Sequence, residues 1–453
     1  MHRFDRKSKR LSWKILSYAL QRIRRDYPLD RGRTPDELRQ VVGATITPTG
    51  IGGKKALQLW RDVLAPACIT VDHPRFLAYV PSAPTEAAGL FDVAVSAANV
   101  YAGSWQEGSG AVFAENEALR WLADVAGLSV TAGGVFVSGG TAGNLSALIA
   151  ARWNWRHHAN GVFDNVRGAI VASRGAHSSI SQSARAMDVD VMWVDTDARG
   201  RMTGFATQSA IDALSEHDKL RVFAIVATGG TTNIGVVDDL TRVGECARNL
   251  NTWFHVDAAY GGAGLIAPTV RHLFNGIEHA DSFIVDPHKW LFAPFDCCAL
   301  LYANPQIARA AHTQHAEYLD ALHQDDEWNP SDYAHHLSRR ARGLPFWFSL
   351  ATYGTNEYER SVEVTLDITR AAARQISEHA DLELAMDPEL SIVMFRRIGW
   401  SADQYYAWSD KVLNDGVAFV TPTTWQNEVM LRLCIVNPLT SAQDIAIVLG
   451  TLK

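Results

Sequence analysis

Long hydrophobic runs are missing from this chain: no stretch approaches the roughly 20 apolar residues that a membrane span requires. Cysteine is scarce. The five present, Cys68, Cys246, Cys297, Cys298 and Cys434, are odd in number and scattered, and no CxxC spacing occurs. That excludes a disulfide framework or a zinc-ligand pattern, and no metal is expected. They read as buried thiols in a reducing, cytoplasmic setting. Excess basic charge is missing too. A formal net charge of -7 argues against nucleic-acid binding, because phosphate backbones reward a basic surface. Small anionic or zwitterionic ligands stay open, since one local site binds them whatever the net charge. Neither GxGxxG nor GxxxxGK followed by Ser or Thr is satisfied, and Gly53-Lys54-Lys55 only imitates the second. The basic N-terminus (Arg3, Arg6, Lys7, Lys9, Arg10, then Arg22, Arg24 and Arg25) flanks an apolar stretch that Lys14 and two serines interrupt. This is a poor signal-peptide core and a fair amphipathic helix for packing on a partner.

What is there is ordinary globular composition, 47% hydrophobic and 20% charged over 453 residues. Residues 1–84 read as a helical N-terminal segment, with Thr34 and Pro35 as a helix start and the proline-bounded stretch 72–81 extended. Residues 85–352 alternate short apolar runs with helical stretches. Strands are predicted at 135–137, 169–172, 222–227, 254–256, 283–285 and 299–302, with helices at 144–152, 209–216 and 239–249. Such alternation predicts an α/β fold, a mostly parallel sheet wrapped by helices, with ligands beyond the carboxyl ends of the strands. Residues 353–453 read as a small α+β domain.

Four strand-end motifs carry chemistry. In Asp286-Pro287-His288-Lys289-Trp290, a lysine among bulky apolar neighbours can lose its proton and attack an aldehyde; alone, the motif reads more readily as a structural lysine. In His255-Val256-Asp257-Ala258-Ala259-Tyr260, an aspartate ends a strand where a carboxylate could keep a pyridine nitrogen protonated. The small Ala259 would let a ring lie flat. Ser138-Gly139-Gly140-Thr141-Ala142-Gly143-Asn144 joins a strand to a helix, and its glycines and unpaired N–H groups suit a phosphate. Ala176-His177-Ser178-Ser179 offers an imidazole that could stack on a ring. Each has a plain structural alternative, but their order and roles agree with one another.

Through HPRFLAYVP, SGGTAGNLSAL, HVDAAYGG and DPHKW, the chain resembles the group II pyridoxal-phosphate-dependent amino-acid decarboxylases from about Asp72 to Gly343. Its layout is most similar to the aromatic-L-amino-acid branch. The resemblance implies a fold type I transferase-like architecture, pyridoxal 5'-phosphate as cofactor and an obligate homodimer with the site at the subunit interface. It implies Lys289 as the Schiff-base lysine, Asp257 at the pyridine nitrogen and His177 stacked on the ring. Gly140 and Thr141 would bind phosphate, His288 and Thr231 would contact cofactor, and Ala259 would lie beneath the ring. Tyr79, Val80, Pro81 and Ser82 would line the substrate. Tyr101 and Gly103 would reach the partner's pocket. Tyr333 resembles a mobile-loop tyrosine that returns a proton to the substrate carbon, behind an acidic lid with Asp325, Asp326 and Glu327.

Two departures stand out. Asp286 replaces an asparagine common near the phosphate, and Gly103 replaces a bulkier residue, which would leave room for a side chain as large as indole. Phe76, Tyr79, Tyr101 and Trp105 also suggest an aromatic substrate. The expected activity is decarboxylation of an L-amino acid, with an aldehyde synthase or a non-catalytic scaffold as alternatives. The pairs His312/His315 and His335/His336 lack a nearby carboxylate pattern for zinc.

Overall fold

The computed structural model describes residues 4–23, 27–158, 162–163, 165–314 and 327–453. Arg3, Arg24, Arg25, His315, Asp325 and Asp326 lie outside the described residues. Seven strands form the main sheet: β1 Gly133–Val137, β2 Ala169–Ser173, β3 Asp190–Val194, β4 Val222–Thr228, β5 Trp253–Asp257, β6 Ser282–Val285 and β7 Cys298–Tyr302. Their order is β1-β7-β6-β5-β4-β2-β3. The pairs from β6 through β5, β4 and β2 to β3 are parallel, and β7 runs antiparallel to both its neighbours. The helices Gly140–His158, Ser178–Met187, Gly204–Asp212 with Glu216–Arg221, and Leu240–Asn249 are the crossovers. This is the mixed α/β architecture that the alternation predicts.

Helices on both faces explain the unbroken apolar strands. All seven residues of β4 are buried. Successive residues point to opposite faces: Ile225 and Ala227 enter one core with Val256 and Phe283, while Ala224 and Val226 enter the other with Ile170 and Ile284. Two differences from the sequence reading have clear causes. Strand β3, not predicted, is a partly exposed edge strand whose mixed sequence lacks a buried strand's apolar run. The predicted helix 209–216 is two shorter helices, capped separately by Thr203 and Ser215.

A second, antiparallel sheet has the order β10-β11-β9-β8, built from β8 Leu382–Leu384, β9 Ile392–Arg397, β10 Pro422–Trp425 and β11 Glu428–Cys434. The long helix Thr355–Ser377 touches both cores: Val362 and Leu366 pack with the main sheet, Ala372 and Ile376 with the small one. The helices Arg6–Ile23, Pro35–Val42 and Gly53–Leu59 bury no residue within this chain. Arg22 ties the first of them down through both oxygens of Asp72.

One buried ion pair joins segments far apart in sequence. Arg339 donates to both carboxylate oxygens of Glu115 at 2.7 and 2.9 Å and to the carbonyls of Ala102 and Phe136. Glu115 also accepts from the Gly343 N–H. Removing one member strands a buried charge. Arg339→Met is therefore expected to cost about 3–5 kcal/mol, read as a lowered midpoint in denaturant unfolding. An unchanged midpoint would show that the pair contributes nothing.

Candidate functional site

The carboxyl ends of β1, β2, β4, β5 and β6 converge on one cavity of about 310 Å³. Its lining includes Gly140, Thr141, His177, Asp257, Ala259, His288 and Lys289, together with Ser138, Asn144, Gly230, Thr232, Asp286 and Phe295. Gly140 opens the helix that follows β1. A Cβ there would lie 3.1 Å from the Ala259 Cβ and 3.3 Å from Asp286 Oδ2, so a side chain would crowd the turn. Gly143 lets the helix sit on the sheet, since its Cβ would come within 2.8 Å of Ile284.

Asp257 ends β5 and is buried. Its Oδ1 accepts from the Ala259 N–H (3.1 Å) and its Oδ2 from the Asn144 amide (2.8 Å). That amide also donates to Ser179 Oγ at 2.8 Å. The Asn144 carbonyl oxygen meets His255 Nε2 at 2.9 Å, and His255 Nδ1 meets Ser282 Oγ at 2.8 Å. Burial lowers the His255 pKa to about 4, so its ring is neutral at pH 7. The hydrogen-bond directions then follow. Trp253 Nε1–H donates to Ser282 Oγ, the Ser282 hydroxyl donates to His255 Nδ1, and Nε2–H donates to Asn144. At the other end Ser179 meets His177 Nδ1 through Oγ at 2.9 Å and through its N–H at 3.2 Å. His177 Nδ1 is thus an acceptor, which leaves the ring N–H on Nε2.

Lys289 overturns one expectation. Its surroundings are not simply apolar. Burial alone would lower its pKa, but Asp286, with Oδ2 2.9 Å from Nζ, and Asp257 raise it above the ordinary value. The lysine is held as an ammonium beside carboxylates. Trp290 is packed away from the cavity, stacked on Tyr260 and bonded to Thr365. His288 lines the cavity with Nδ1 2.7 Å from the Cys297 carbonyl, and burial lowers its pKa.

Several proposed contacts lie elsewhere in this chain. Thr231 is buried in a turn, where its Oγ1 accepts from the Val236 N–H; Gly230 and Thr232 reach the cavity instead. Tyr333 is 1% exposed, stacked on Trp328 at 4.0 Å, and its carbonyl accepts from Tyr302. The Ser331 N–H bonds the Gly103 carbonyl, and the Asn329 side chain accepts from the Trp105 N–H. The stretch around Tyr333 is anchored in the core rather than poised as a lid. Tyr79, Val80, Pro81 and Ser82 do not line the cavity. Tyr79 is 62% exposed, with its ring edge against Phe419, and Ser82 bonds the Ala293 carbonyl. Phe76 is core, packed on Phe419. Gly103 leaves no room for indole: a Cβ there would meet the Tyr101 hydroxyl at 2.4 Å and the Leu337 carbonyl at 2.8 Å. Tyr101 itself donates to that carbonyl.

Sequence reasoning assigned no role to Asn144, Ser179, His255 and Phe295. Asn144 and His255 sit inside quoted motifs, and their polar character at buried positions was the available signal. The histidine pairs are structural where described: His312 bonds the Ser146 carbonyl, and the His335 N–H bonds Ser146 Oγ. Among the described residues no group of three or more His, Cys, Asp or Glu side chains could hold a metal.

A buried acceptor-only carboxylate, a glycine-opened helix N-terminus and a lysine around one small cavity suit a phosphorylated pyridine aldehyde. Comparison with known proteins agrees. The pyridoxal-dependent decarboxylase conserved domain matches residues 41–398. The chain is 27% identical to an aromatic-L-amino-acid decarboxylase of Bacillus atrophaeus, over 94% of this chain and 90% of the relative. It is 31% identical to an L-2,4-diaminobutyrate decarboxylase of Rhizobium meliloti, over 86% and 79%. The crystal structure of Oryza sativa TDC with PLP and tryptamine superposes with a TM-score of 0.90 at 23% identity, covering 100% of this chain and 99% of the other. The chain belongs to the pyridoxal-dependent (group II) decarboxylase family, and it is a pyridoxal-phosphate-dependent amino-acid carboxy-lyase.

Proposed function

We propose that the chain converts an aromatic L-amino acid to its amine and carbon dioxide, with Lys289 as the cofactor lysine. The observation that carries this reading is the convergence of Lys289, Asp257, His177 and the Gly140 turn on one cavity. Bound pyridoxal phosphate supplies the sink for electrons left at Cα when the carboxylate departs. The chain's own groups do the rest. The helix N-terminus at Gly140 and Thr141 presents N–H donors to the phosphate. Asp257, locked by Asn144 and the Ala259 N–H, holds a proton at the pyridine nitrogen. Ala259 leaves the ring its space. His177 offers Nε2–H toward the substrate carboxylate. Lys289 would hold the cofactor's aldehyde carbon through its ε-amine.

The aromatic preference rests on two features. Phe295, 56% exposed in the turn after Lys289, borders the cavity. Among the described residues no arginine lines it. An acidic side chain therefore lacks a guanidinium partner there. The Bacillus atrophaeus relative is named for aromatic substrates. The working unit in this reading is a homodimer in which Tyr101 and Gly103 border the partner's pocket. An apolar groove between the N-terminal helix and the helix Glu86–Ala98, with Trp13, Leu16, Leu20, Leu90 and Val93, suits a second copy. No helix among the described residues is long and apolar enough to cross a membrane. The five free thiols fit the cytoplasm.

Three outcomes are expected. Lys289→Ala should abolish the borohydride-fixed attachment of cofactor, read by mass spectrometry of the digested protein; a label surviving on another lysine would discard the assignment. Offered tryptophan, tyrosine, phenylalanine, dopa, histidine, glutamate and diaminobutyrate together, the enzyme should release arylalkylamines and carbon dioxide without peroxide. Diaminobutyrate or glutamate consumed first would overturn the aromatic preference, and peroxide would indicate an aldehyde synthase. Tyr333→Phe should keep turnover within about threefold, because general acid catalysis is worth roughly 100-fold or more when a residue supplies it and this ring is packed away. The other tyrosine of that stretch, Tyr318, lies outside the described residues, and Tyr318→Phe is the matching control. A 100-fold loss in folded Tyr333→Phe (about 2.7 kcal/mol) would restore Tyr333 as the proton donor.

A further inference from the structure

Asp286 lies just beyond the carboxyl end of β6, 2% exposed, and lines the same cavity. Its two oxygens are unequally served. Oδ2 accepts from Lys289 Nζ at 2.9 Å and from the Gly140 N–H at 3.3 Å. Oδ1 is buried without a hydrogen-bond partner. The Cys298 thiol, a weak donor, interacts with the carboxylate, and its sulfur also contacts the Ala299 carbonyl at 3.7 Å, so no hydrogen bond of ordinary geometry reaches Oδ1. A buried acceptor left unserved is costly, the more so when charged, so a donor from the bound ligand is the natural complement. Gly140, against which Asp286 rests, opens the turn assigned to the phosphate. In neutral solution a phosphate monoester, with a second pKa of about 6, is mostly a dianion. A dianion brings only acceptors to Oδ1 and repels the carboxylate. A monoanion brings one P–OH, the donor that Oδ1 lacks.

We propose that Asp286 and the cofactor's phosphate share one proton, with Oδ1 as its acceptor, so that cofactor binding takes up a proton from solvent. The inference rests on the reading that Lys289 and the Gly140 turn hold the cofactor. The titratable groups around Asp286 are Lys289 and His288 on its own turn and Cys297 and Cys298 at the start of β7, with Asp257 also acting on Lys289. Exchanging Lys289 from ammonium to protonated imine changes no charge. That step is also common to pyridoxal phosphate and to pyridoxal, which lacks the phosphate. The difference between the two ligands therefore isolates the phosphate and Asp286.

The test is calorimetry of both ligands binding to the full-length protein freed of cofactor, in buffers of different ionisation enthalpy, for wild type and Asp286→Asn. Wild type should take up about one more proton with pyridoxal phosphate than with pyridoxal at pH 8, and Asp286→Asn about none. Above pH 7 the wild-type affinity for pyridoxal phosphate, relative to pyridoxal, should then fall about tenfold per pH unit. No excess proton in wild type, or the same excess in Asp286→Asn, would overturn the proposal. If Asp286→Asn does not fold, the wild-type slope decides, and a flat ratio overturns it. Failure of the underlying site reading is seen separately, as borohydride fixing the cofactor to a residue other than Lys289.

Discussion

The hydrogen bond from the Asn144 amide to Asp257 Oδ2 is the constraint on which the site depends. A buried carboxylate persists only when donors surround it. Asn144 supplies one from the first turns of the helix after β1, and the Ala259 N–H supplies another from the loop after β5. The same amide reaches Ser179 and so fixes His177, while its carbonyl is held by neutral His255. One side chain thus sets the orientation of the carboxylate, the tautomer of the imidazole and the seating of the helix after β1 on the sheet. A half-satisfied version of this network would cost more than an apolar core, so its members stand or fall together.

Most of the fold was legible because a parallel sheet covered on both faces writes itself as separated apolar runs. Six of the seven main strands carry that signature. Strand β3 does not, since an edge strand with half-exposed residues needs no apolar run. In the site, strand-end motifs pointed to the side chains that line the cavity: Lys289, Asp257, His177 and the Gly140 turn. Positions with weaker motif support fared differently. Thr231 and its neighbours differ by one residue in which way they face, a register that no motif specifies. Tyr333 rested on the family resemblance alone, and local packing against Trp328 decides its place. Asn144 and Ser179 were invisible as a pair because they come together only when two crossover helices dock side by side.

The charge on Lys289 illustrates why neighbours in sequence are a poor guide to electrostatics. Proline, histidine and tryptophan flank it in the chain and suggest a dry lysine ready to lose its proton. In space the nearest charges are Asp286 and Asp257, and they outweigh burial. An ammonium beside two carboxylates is stable and correctly placed, but it is not a nucleophile. Covalent chemistry at Nζ therefore needs the carboxylates to be engaged elsewhere: Asp257 by a pyridinium, Asp286 by a donor of its own. In the proposed reading the two polar ends of a bound cofactor would supply both, so that occupancy of the site would itself free the amine.

Glycine placement makes the complementary argument about space. Gly103, Gly140 and Gly143 all lie where a Cβ would meet atoms within about 3 Å, yet they serve different ends. Gly140 and Gly143 let a helix N-terminus approach the sheet closely enough for its N–H groups to face the cavity. Gly103 only admits the Tyr101 ring and the Leu337 carbonyl, and Arg339 welds the same segment to Glu115. The 101–103 stretch is therefore a rigid, pre-formed surface rather than a pocket. In the proposed homodimer, selectivity for the substrate side chain would then come from the shape that surface presents, together with the exposed Phe295, and not from a void left by the missing side chain at position 103.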